Sequence, residues 1–172
     1  KIASLASSPS IIGICKMKDN DIIVGDKILI LDNIQDPGNL GTIIRSAVAF
    51  NIDTIVLSTD TVSLYNEETI RATQGMLFYA NVITKNLKEF IPLLKNNGYK
   101  IYTTNVNNGI SIKSAKFYNK CAIIMGNEGN GVSSYINDLC DGAIYIPMNK
   151  SCESLNVGVA TSIILYEMSR WI

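Results

Sequence analysis

The segment at residues 125–131 combines three glycines with one carboxylate, that of Glu128, directly after the apolar residues 121–124. An apolar run followed by glycines predicts a buried strand that ends in an open turn. Glycines in such a turn serve either a positive-φ backbone or the close approach of backbone to a ligand. The spacing matches neither the dinucleotide-binding fingerprint nor the phosphate-binding P-loop. The segment therefore indicates either a simple turn or a ligand-binding loop.

A second polar loop, residues 149–156, lies between the apolar residues 144–146 and a helical pattern that continues to residue 170. A helix N-terminus favours one Ser, Asn or Asp side chain as its cap. This loop offers more polar side chains than a cap requires: Ser151, Glu153, Ser154 and Asn156. The surplus leaves two interpretations open, a plain helix cap or a surface that faces a ligand or substrate.

A third segment, residues 33–45, has the layout of a strand end, a Pro-Gly turn and a helix start, with Asn39 as the predicted N-cap. Free backbone N–H groups and the helix dipole make such a corner attractive to anions, although a plain tight turn has the same composition. Arg45 lies off the apolar stripe of this helix. Its guanidinium either holds a phosphate or is simply solvated.

The composition excludes several kinds of chemistry. The chain of 172 residues has no histidine, which rules out histidine-based triads, metal sites and general bases. Its four cysteines show no C-x-x-C spacing, so we predict reduced thiols in a cytoplasmic protein, with no metal site and no disulfide framework. Fifteen basic residues balance fifteen acidic ones, so only a local patch could attract nucleic acid. We find no apolar run near the ~20 residues of a membrane span.

Strand and helix patterns alternate along the chain, which predicts an α/β fold with a mostly parallel sheet flanked by helices. Continuous apolar runs, typical of strands buried on both faces, occupy residues 27–32, 54–58 and 121–124. Helical patterns begin at residue 39 and cover residues 87–97 and 155–170. We also predict a short strand at residues 11–15 and an extended segment at residues 77–84.

Three of these segments together resemble the motifs of the SpoU (TrmH) class of SPOUT methyltransferases. The matching segments are residues 31–47, residues 124–133, and residues 146–148 with 154–160. Residues 71–76 also resemble a family segment, and the likeness covers about residues 10–171. Three motifs in this order indicate the family specifically, although each motif alone does not. The chain departs from the family pattern at Asn51, where Gly is usual, at Asn127, where Ala or Ser is common, and at Gly158, where Ser is common.

The resemblance implies a deep C-terminal trefoil knot, which no periodicity could indicate. It also implies S-adenosylmethionine as methyl donor, a ribose 2′-hydroxyl of RNA as acceptor, and a homodimer whose site takes residues from both chains. Family members often carry an N-terminal RNA-binding domain. We therefore interpret residues 1–10 as the remnant of a linker to such a domain and residues 11–172 as the catalytic domain.

The resemblance also assigns site residues. The catalytic group is Arg45, Asn33, Glu128, Ser154 and Asn156. The cofactor-binding group is Gly126, Ile146, Leu155, Thr104 and Met148. Because arginine stays protonated in proteins, we expect Arg45 to clamp the RNA phosphate and the developing alkoxide more readily than to act as a base.

By analogy with the family, we expect ribosomal RNA, of the 23S type, as the substrate in preference to transfer RNA. Two alternatives remain within the family, a transfer RNA 2′-O-ribose methyltransferase and an RNA-binding member that has lost catalysis. A nucleotide-dependent α/β oxidoreductase is a third possibility, but the chain lacks the G-x-G-x-x-G fingerprint that it requires.

Overall fold

The structure is a computed structural model that describes residues 11, 13–17, 22–23, 25–106 and 108–170. The strands are β1 (Lys27–Leu31), β2 (Thr54–Ser58), β3 (Val82–Lys85), β4 (Lys100–Thr104), β5 (Ile110–Ser111), β6 (Cys121–Met125) and β7 (Gly142–Tyr145). The α-helices are α1 (Pro37–Ala49), α2 (Glu67–Ala72), α3 (Leu87–Asn96), α4 (Ser134–Asn137) and α5 (Val157–Ser169). A 3-10 helix at Met76–Phe78 precedes β3.

In the part of the chain that the structure describes, seven strands form one sheet in the order β3-β2-β1-β6-β4-β7-β5. Every named strand pair is parallel. Strands β2 and β6 are buried along their whole length, as a central strand covered on both faces must be. Separate apolar clusters fill the two faces, one under α1 and α5 and the other under α3. The predicted α/β fold with a parallel, helix-flanked sheet is confirmed.

Strand β6 lies between β1 and β4, although β4 precedes it in the chain. Strand β7 lies beyond β4 in the sheet, whereas α5, the next element in the chain, packs against α1 on the β1 side. After β7 the chain must therefore return across the carboxyl ends of these strands. The loops that follow β6 and β7 are therefore brought together at one edge of the sheet. The same crossing brings the three motif segments together.

Helix α1 starts earlier than predicted. Asp36 is its N-cap, with a side-chain oxygen that accepts the N–H of Asn39 at 2.6 Å, and Pro37 occupies the first turn. The prediction that Asn39 caps this helix is wrong, which frees the Asn39 side chain for other contacts. The predicted apolar stripe faces the core and Arg45 is exposed. Four residues of the stripe are buried and the last is partly buried: Leu40, Ile43, Ile44 and Ala47, then Val48.

Two other local predictions are wrong. Residues 77–84 are not continuously extended: Gln74 and Gly75 take left-handed backbone angles, with φ of 50° and 83°, and turn the chain into the 3-10 helix. No strand forms among the described residues of segment 11–15, where Ile11 and Ile14 are 88% and 94% exposed. An isolated apolar run without a neighbouring strand gains nothing from β-structure. Ile12 and the predicted linker at residues 1–10 lie outside the described residues.

Within the described ranges, no helix is both long enough and apolar enough to traverse a lipid bilayer.

Candidate functional site

A cavity of about 380 Å³ opens at the carboxyl ends of the central strands β4, β6 and β7. In parallel sheets this edge is where loops converge and ligands bind. Three loops surround the cavity: residues 104–106, residues 126–132 (the glycine loop) and residues 146–156 (the third loop). The lining residues are Thr104, Asn105, Val106, Met125, Gly126, Asn127, Glu128, Gly129, Asn130, Gly131, Val132, Asn137, Ile144, Tyr145, Ile146, Met148, Ser154, Leu155, Val157, Ala160 and Ile164.

The five residues predicted to bind a cofactor all line this cavity: Thr104, Gly126, Ile146, Met148 and Leu155. Thr104 uses its hydroxyl to join two strand ends, because Oγ1 donates to the Ile124 carbonyl at 3.0 Å. Gly126 is buried and the others are partly buried. The sequence motifs therefore converge on one space, while the cofactor-binding role of these residues remains a prediction.

The glycine loop is held in shape by its own backbone and by Asn127. The N–H groups of Asn127 and Gly131 each donate to the other residue's carbonyl, at 3.0 and 2.9 Å. The Asn127 side-chain oxygen accepts the N–H groups of Gly129 and Asn130 at 3.0 and 3.1 Å, and its Nδ2 donates to the Asn33 carbonyl at 2.9 Å. The loop is a closed turn attached to the segment that follows β1.

Gly126 is required by this closure. A Cβ atom at Gly126 would lie 2.1 Å from the Gly131 carbonyl carbon and 2.2 Å from the Val132 nitrogen. We expect Gly126→Ala to lower the free energy of unfolding by about 1–3 kcal/mol, because backbone cannot yield as a flexible side chain can. Urea unfolding measures this change.

Gly129→Ala is the matched control for Gly126→Ala within the same loop. Its added Cβ would meet only the Asn127 side-chain oxygen, at 3.6 Å, which is an ordinary contact. A stability change within about 0.5 kcal/mol is expected there. Equal losses in the two variants would contradict the crowding argument.

Glu128 joins the tip of the glycine loop to the start of α1. Its carboxylate accepts the N–H groups of Gln35 and Asp36, each at 3.3 Å, and the side-chain amide of Asn39 at 3.1 Å. Burial raises the pKa of this carboxyl, but these hydrogen bonds, with one from its own N–H, outweigh burial and hold the pKa below its ordinary value. Glu128 is therefore an anion near neutral pH and orients its neighbours.

This pKa shift predicts a pH-dependent stability. A carboxylate with a lower pKa in the folded chain stabilises the fold above the unfolded-state pKa, and the contribution is lost as pH falls through the folded-state pKa. We expect Glu128→Gln to be less stable than the wild type at pH 7, and the difference to shrink below about pH 4.3, the ordinary Glu value. Urea unfolding across this range measures it, with Glu153→Gln as the exposed control. A difference that stays constant from pH 7 to about pH 3 would contradict the assignment.

Asn39 connects all three motif segments. Its Nδ2 donates to Glu128 at 3.1 Å, and its Oδ1 accepts from the Asn156 side-chain amide at 2.9 Å. The Asn156 oxygen in turn caps α5 by accepting the N–H groups of Gly158 and Val159 at 2.9 and 3.3 Å. This chain is the centre of the candidate site. The sequence indicated only a helix cap for Asn39. The signal that could have revealed its role is the surplus of side-chain amides around the single carboxylate of Glu128.

The other predicted catalytic residues lie in different surroundings. Asn33 has a left-handed backbone with φ of 60°, and its side-chain oxygen accepts from the Gln35 amide. Ser154 is exposed and lines the cavity. Arg45 is exposed on α1 and is not among the lining residues. Glu128 and Ser154 thus line the cavity, and Asn156 is linked to Glu128 through Asn39. Asn33 and Arg45 are not among the lining residues of their own chain's cavity.

Cys121 is buried in the core, and Cys140 is partly buried against it. Burial raises the pKa of the Cys121 and Cys140 thiols to about 12, so both stay protonated near neutral pH and are poor nucleophiles. Among the residues that the structure describes, no group of three or more Cys, Asp or Glu side chains is arranged to hold a metal ion.

Comparison with known protein families gives one clear match. A model of the SpoU rRNA Methylase family matches residues 26–166. The 23S rRNA (guanosine(2553)-2′-O)-methyltransferase RlmP of Bacillus subtilis (strain 168) is 37% identical over 158 residues, which are 92% of this chain and 64% of that protein. The chain therefore spans less than two thirds of the length of this relative.

Solved structures share the fold. The SpoU methyltransferase AviRb from Streptomyces viridochromogenes, in complex with the cofactor AdoMet, matches with a TM-score of 0.82 at 26% identity, over 90% of this chain and 66% of that one. An rRNA methyltransferase from Sinorhizobium meliloti matches with a TM-score of 0.80 at 31% identity, over 87% and 58%. These neighbours are of the class that carries the C-terminal knot, in agreement with the predicted fold class.

Proposed function

This chain belongs to the SpoU rRNA Methylase family, and from that membership we propose that it transfers a methyl group from S-adenosylmethionine to a ribose 2′-hydroxyl of RNA. The observation that carries the proposal is the hydrogen-bonded chain Glu128–Asn39–Asn156, which joins the three family motifs beside one cavity. A scaffold would not need three polar residues from distant segments at this edge of the sheet.

The cavity suits S-adenosylmethionine. Its volume of about 380 Å³ falls within the range of roughly 300–1,000 Å³ typical of small-molecule sites. Its lining combines apolar side chains with backbone at the glycine loop and the third loop. Gly126, Ile146 and Leu155 would hold the cofactor through backbone groups and apolar cover, with Thr104 and Met148 at the margins. When bound, S-adenosylmethionine supplies an activated methyl group.

The chain's own residues orient the acceptor. A ribose hydroxyl is a weak acid, so the site must position its oxygen and stabilise the charge that develops as the proton leaves. We assign the clamp on phosphate and alkoxide to Arg45, whose guanidinium stays protonated. Ser154 and Asn156 orient the ribose, while Glu128 and Asn39 hold Asn156 in place. Asn33 shapes the turn after β1 and remains a candidate for direct contact.

A homodimer explains the position of Arg45. Helices α1 and α5 pack side by side, with the Ser46 and Ser162 hydroxyls 2.7 Å apart. Their shared outer surface carries apolar side chains: Val159 is 48% exposed and Tyr166 54% exposed. Thr42, Arg45 and Ala49 are exposed on the same face of α1 by helical spacing. We propose that a second copy packs on this surface and that Arg45 then acts at the partner's cavity.

We propose ribosomal RNA in the cytoplasm as the substrate, since the RlmP relative is a 23S rRNA methyltransferase by name. Transfer RNA is the alternative substrate, and a non-catalytic RNA-binding role is the alternative function. The retained Arg45, Glu128, Ser154 and Asn156 argue against lost catalysis.

The deciding experiment incubates the protein and labelled S-adenosylmethionine with ribosomal RNA or transfer RNA and maps the modified ribose. We expect label at a 2′-oxygen of ribosomal RNA. Label in transfer RNA alone would replace the substrate assignment. Calorimetric titration with S-adenosylmethionine separates the remaining cases: binding without transfer to either RNA would support the non-catalytic role, and no binding would refute the methyltransferase proposal.

A further inference from the structure

Asp32 is a buried carboxylate that the proposed reaction does not use. It directly follows β1 at the centre of the sheet and is only 3% exposed. A buried charge is costly unless hydrogen bonds compensate it. Its partners therefore indicate what this residue does.

Both ends of the glycine loop are bonded to Asp32. Its backbone N–H donates to the carbonyl of Met125, the residue just before the loop, at 2.9 Å. Its Oδ2 accepts the N–H and the hydroxyl of Ser133, the residue just after the loop, both at 2.8 Å. One residue thus sets the distance between the two ends of this cavity wall.

The tip of the loop is held separately. Glu128 at the tip bonds to Gln35, Asp36 and Asn39. The ends and the tip are therefore fixed to one continuous segment, residues 32–39. Of these contacts, only the two from Ser133 are made to a buried carboxylate, that of Asp32, and charge-assisted hydrogen bonds are stronger than neutral ones.

We propose that Asp32 is a positioning residue that sets cofactor affinity by holding the two ends of the glycine loop around the cavity, without contacting the cofactor itself. The naming of S-adenosylmethionine as that cofactor rests on the function proposed above. Loss of the Asp32 carboxylate releases the Ser133 end of the loop, while the backbone bond to Met125 remains. The released end can move away, so the cavity must be reordered each time the cofactor binds.

The test measures the Kd for S-adenosylmethionine by calorimetry, together with KM and kcat for methyl transfer and Tm. We expect Asp32→Ala to raise the cofactor Kd and KM by about tenfold, because hydrogen bonds to a charged group are lost. The kcat at saturating cofactor stays within about twofold, since the chemical residues are untouched.

If Asp32→Ala does not fold, two milder variants at Ser133 still test the proposal. Ser133→Ala removes only the hydroxyl contact and is expected to weaken cofactor binding by about threefold. Ser133→Thr retains the hydroxyl and is expected to bind as the wild type does. Equal cofactor affinity of Ser133→Ala and Ser133→Thr would overturn the proposal.

Asp53 is the matched control at the opposite end of β1. Its Oδ2 accepts the N–H groups of Asp26 and Lys27 at 2.8 and 2.9 Å, and it does not line the cofactor cavity. Asp53→Ala is expected to lower Tm with no change in cofactor Kd. If Asp32→Ala lowers Tm but leaves Kd unchanged, its role is only structural and the proposal fails. If the wild type itself binds no S-adenosylmethionine, the proposed function fails first.

Discussion

Arg45→Ala is expected to lower methyl transfer to RNA by about a thousandfold while the Kd for S-adenosylmethionine stays within about twofold of the wild type. The Arg45 guanidinium is exposed and does not line the cofactor cavity of its own chain. Its removal should therefore leave the cofactor site intact and remove the charge that stabilises the developing alkoxide. Single-turnover transfer with saturating cofactor, alongside calorimetry, measures both quantities.

Two further variants sharpen the Arg45 test. Arg45→Lys keeps the charge but loses the planar fork, so partial activity is expected. Arg170→Ala is the control: this arginine makes a surface ion pair with Glu167 at 2.9 Å, a kind of contact worth little. Full activity of Arg45→Ala would refute the assignment of Arg45.

The second large effect is expected at Asn39. Asn39→Ala should lower kcat by about a hundredfold, because it breaks the contacts to both Glu128 and Asn156 and releases the third loop from the first motif. Asn39→Asp should be at least as damaging, since it places a second carboxylate 3.1 Å from that of Glu128. Steady-state kinetics with saturating cofactor and RNA measure the loss.

Asn97→Ala is the control for Asn39→Ala, because the Asn97 side chain bonds only to the Leu93 carbonyl near the end of α3, away from the cavity. Asn33→Ala tests the predicted catalytic role of Asn33 beside that of Asn39. A kcat of Asn39→Ala within about threefold of the wild type would contradict the central place of Asn39.

The variants Arg45→Ala and Asn39→Ala, mixed together, also test the homodimer. If Arg45 acts at the partner's cavity, a mixed dimer of Arg45→Ala and Asn39→Ala chains contains one intact site. Mixing the two inactive variants should then restore up to about a quarter of wild-type activity, given random exchange of subunits. No recovery despite proven exchange would contradict the placement of Arg45 at the partner's cavity.

Much of the fold could be predicted from the sequence because local patterns determine it. The apolar runs at β1, β2 and β6 predict strands covered on both faces, and the structure buries them. The left-handed backbone of Asn51, with φ of 54°, suits the glycine of the family pattern at this position, and Asn is among the few other residues that tolerate this conformation.

The site was harder to predict because its contacts join distant segments. Asn39 and Glu128 are 89 positions apart, and Asn39 and Asn156 are 117 apart. Propensity suggests a capping role for Asn39, but it cannot show that Asp36 takes that role. Likewise, the composition of residues 77–84 suits a strand, and only the left-handed Gln74 and Gly75 redirect it.

The insertion of β6 between β1 and β4 also has a consequence for the rate at which this protein folds. Lys27 pairs with Cys121, 94 positions further along the chain, so the centre of the sheet closes only after a long loop has been drawn together. The cavity also needs α5, which follows all the strands in the chain and packs on α1. We therefore expect a ligand in that cavity to protect the protein chiefly by slowing unfolding, since its binding site needs both the closed sheet and the docked α5.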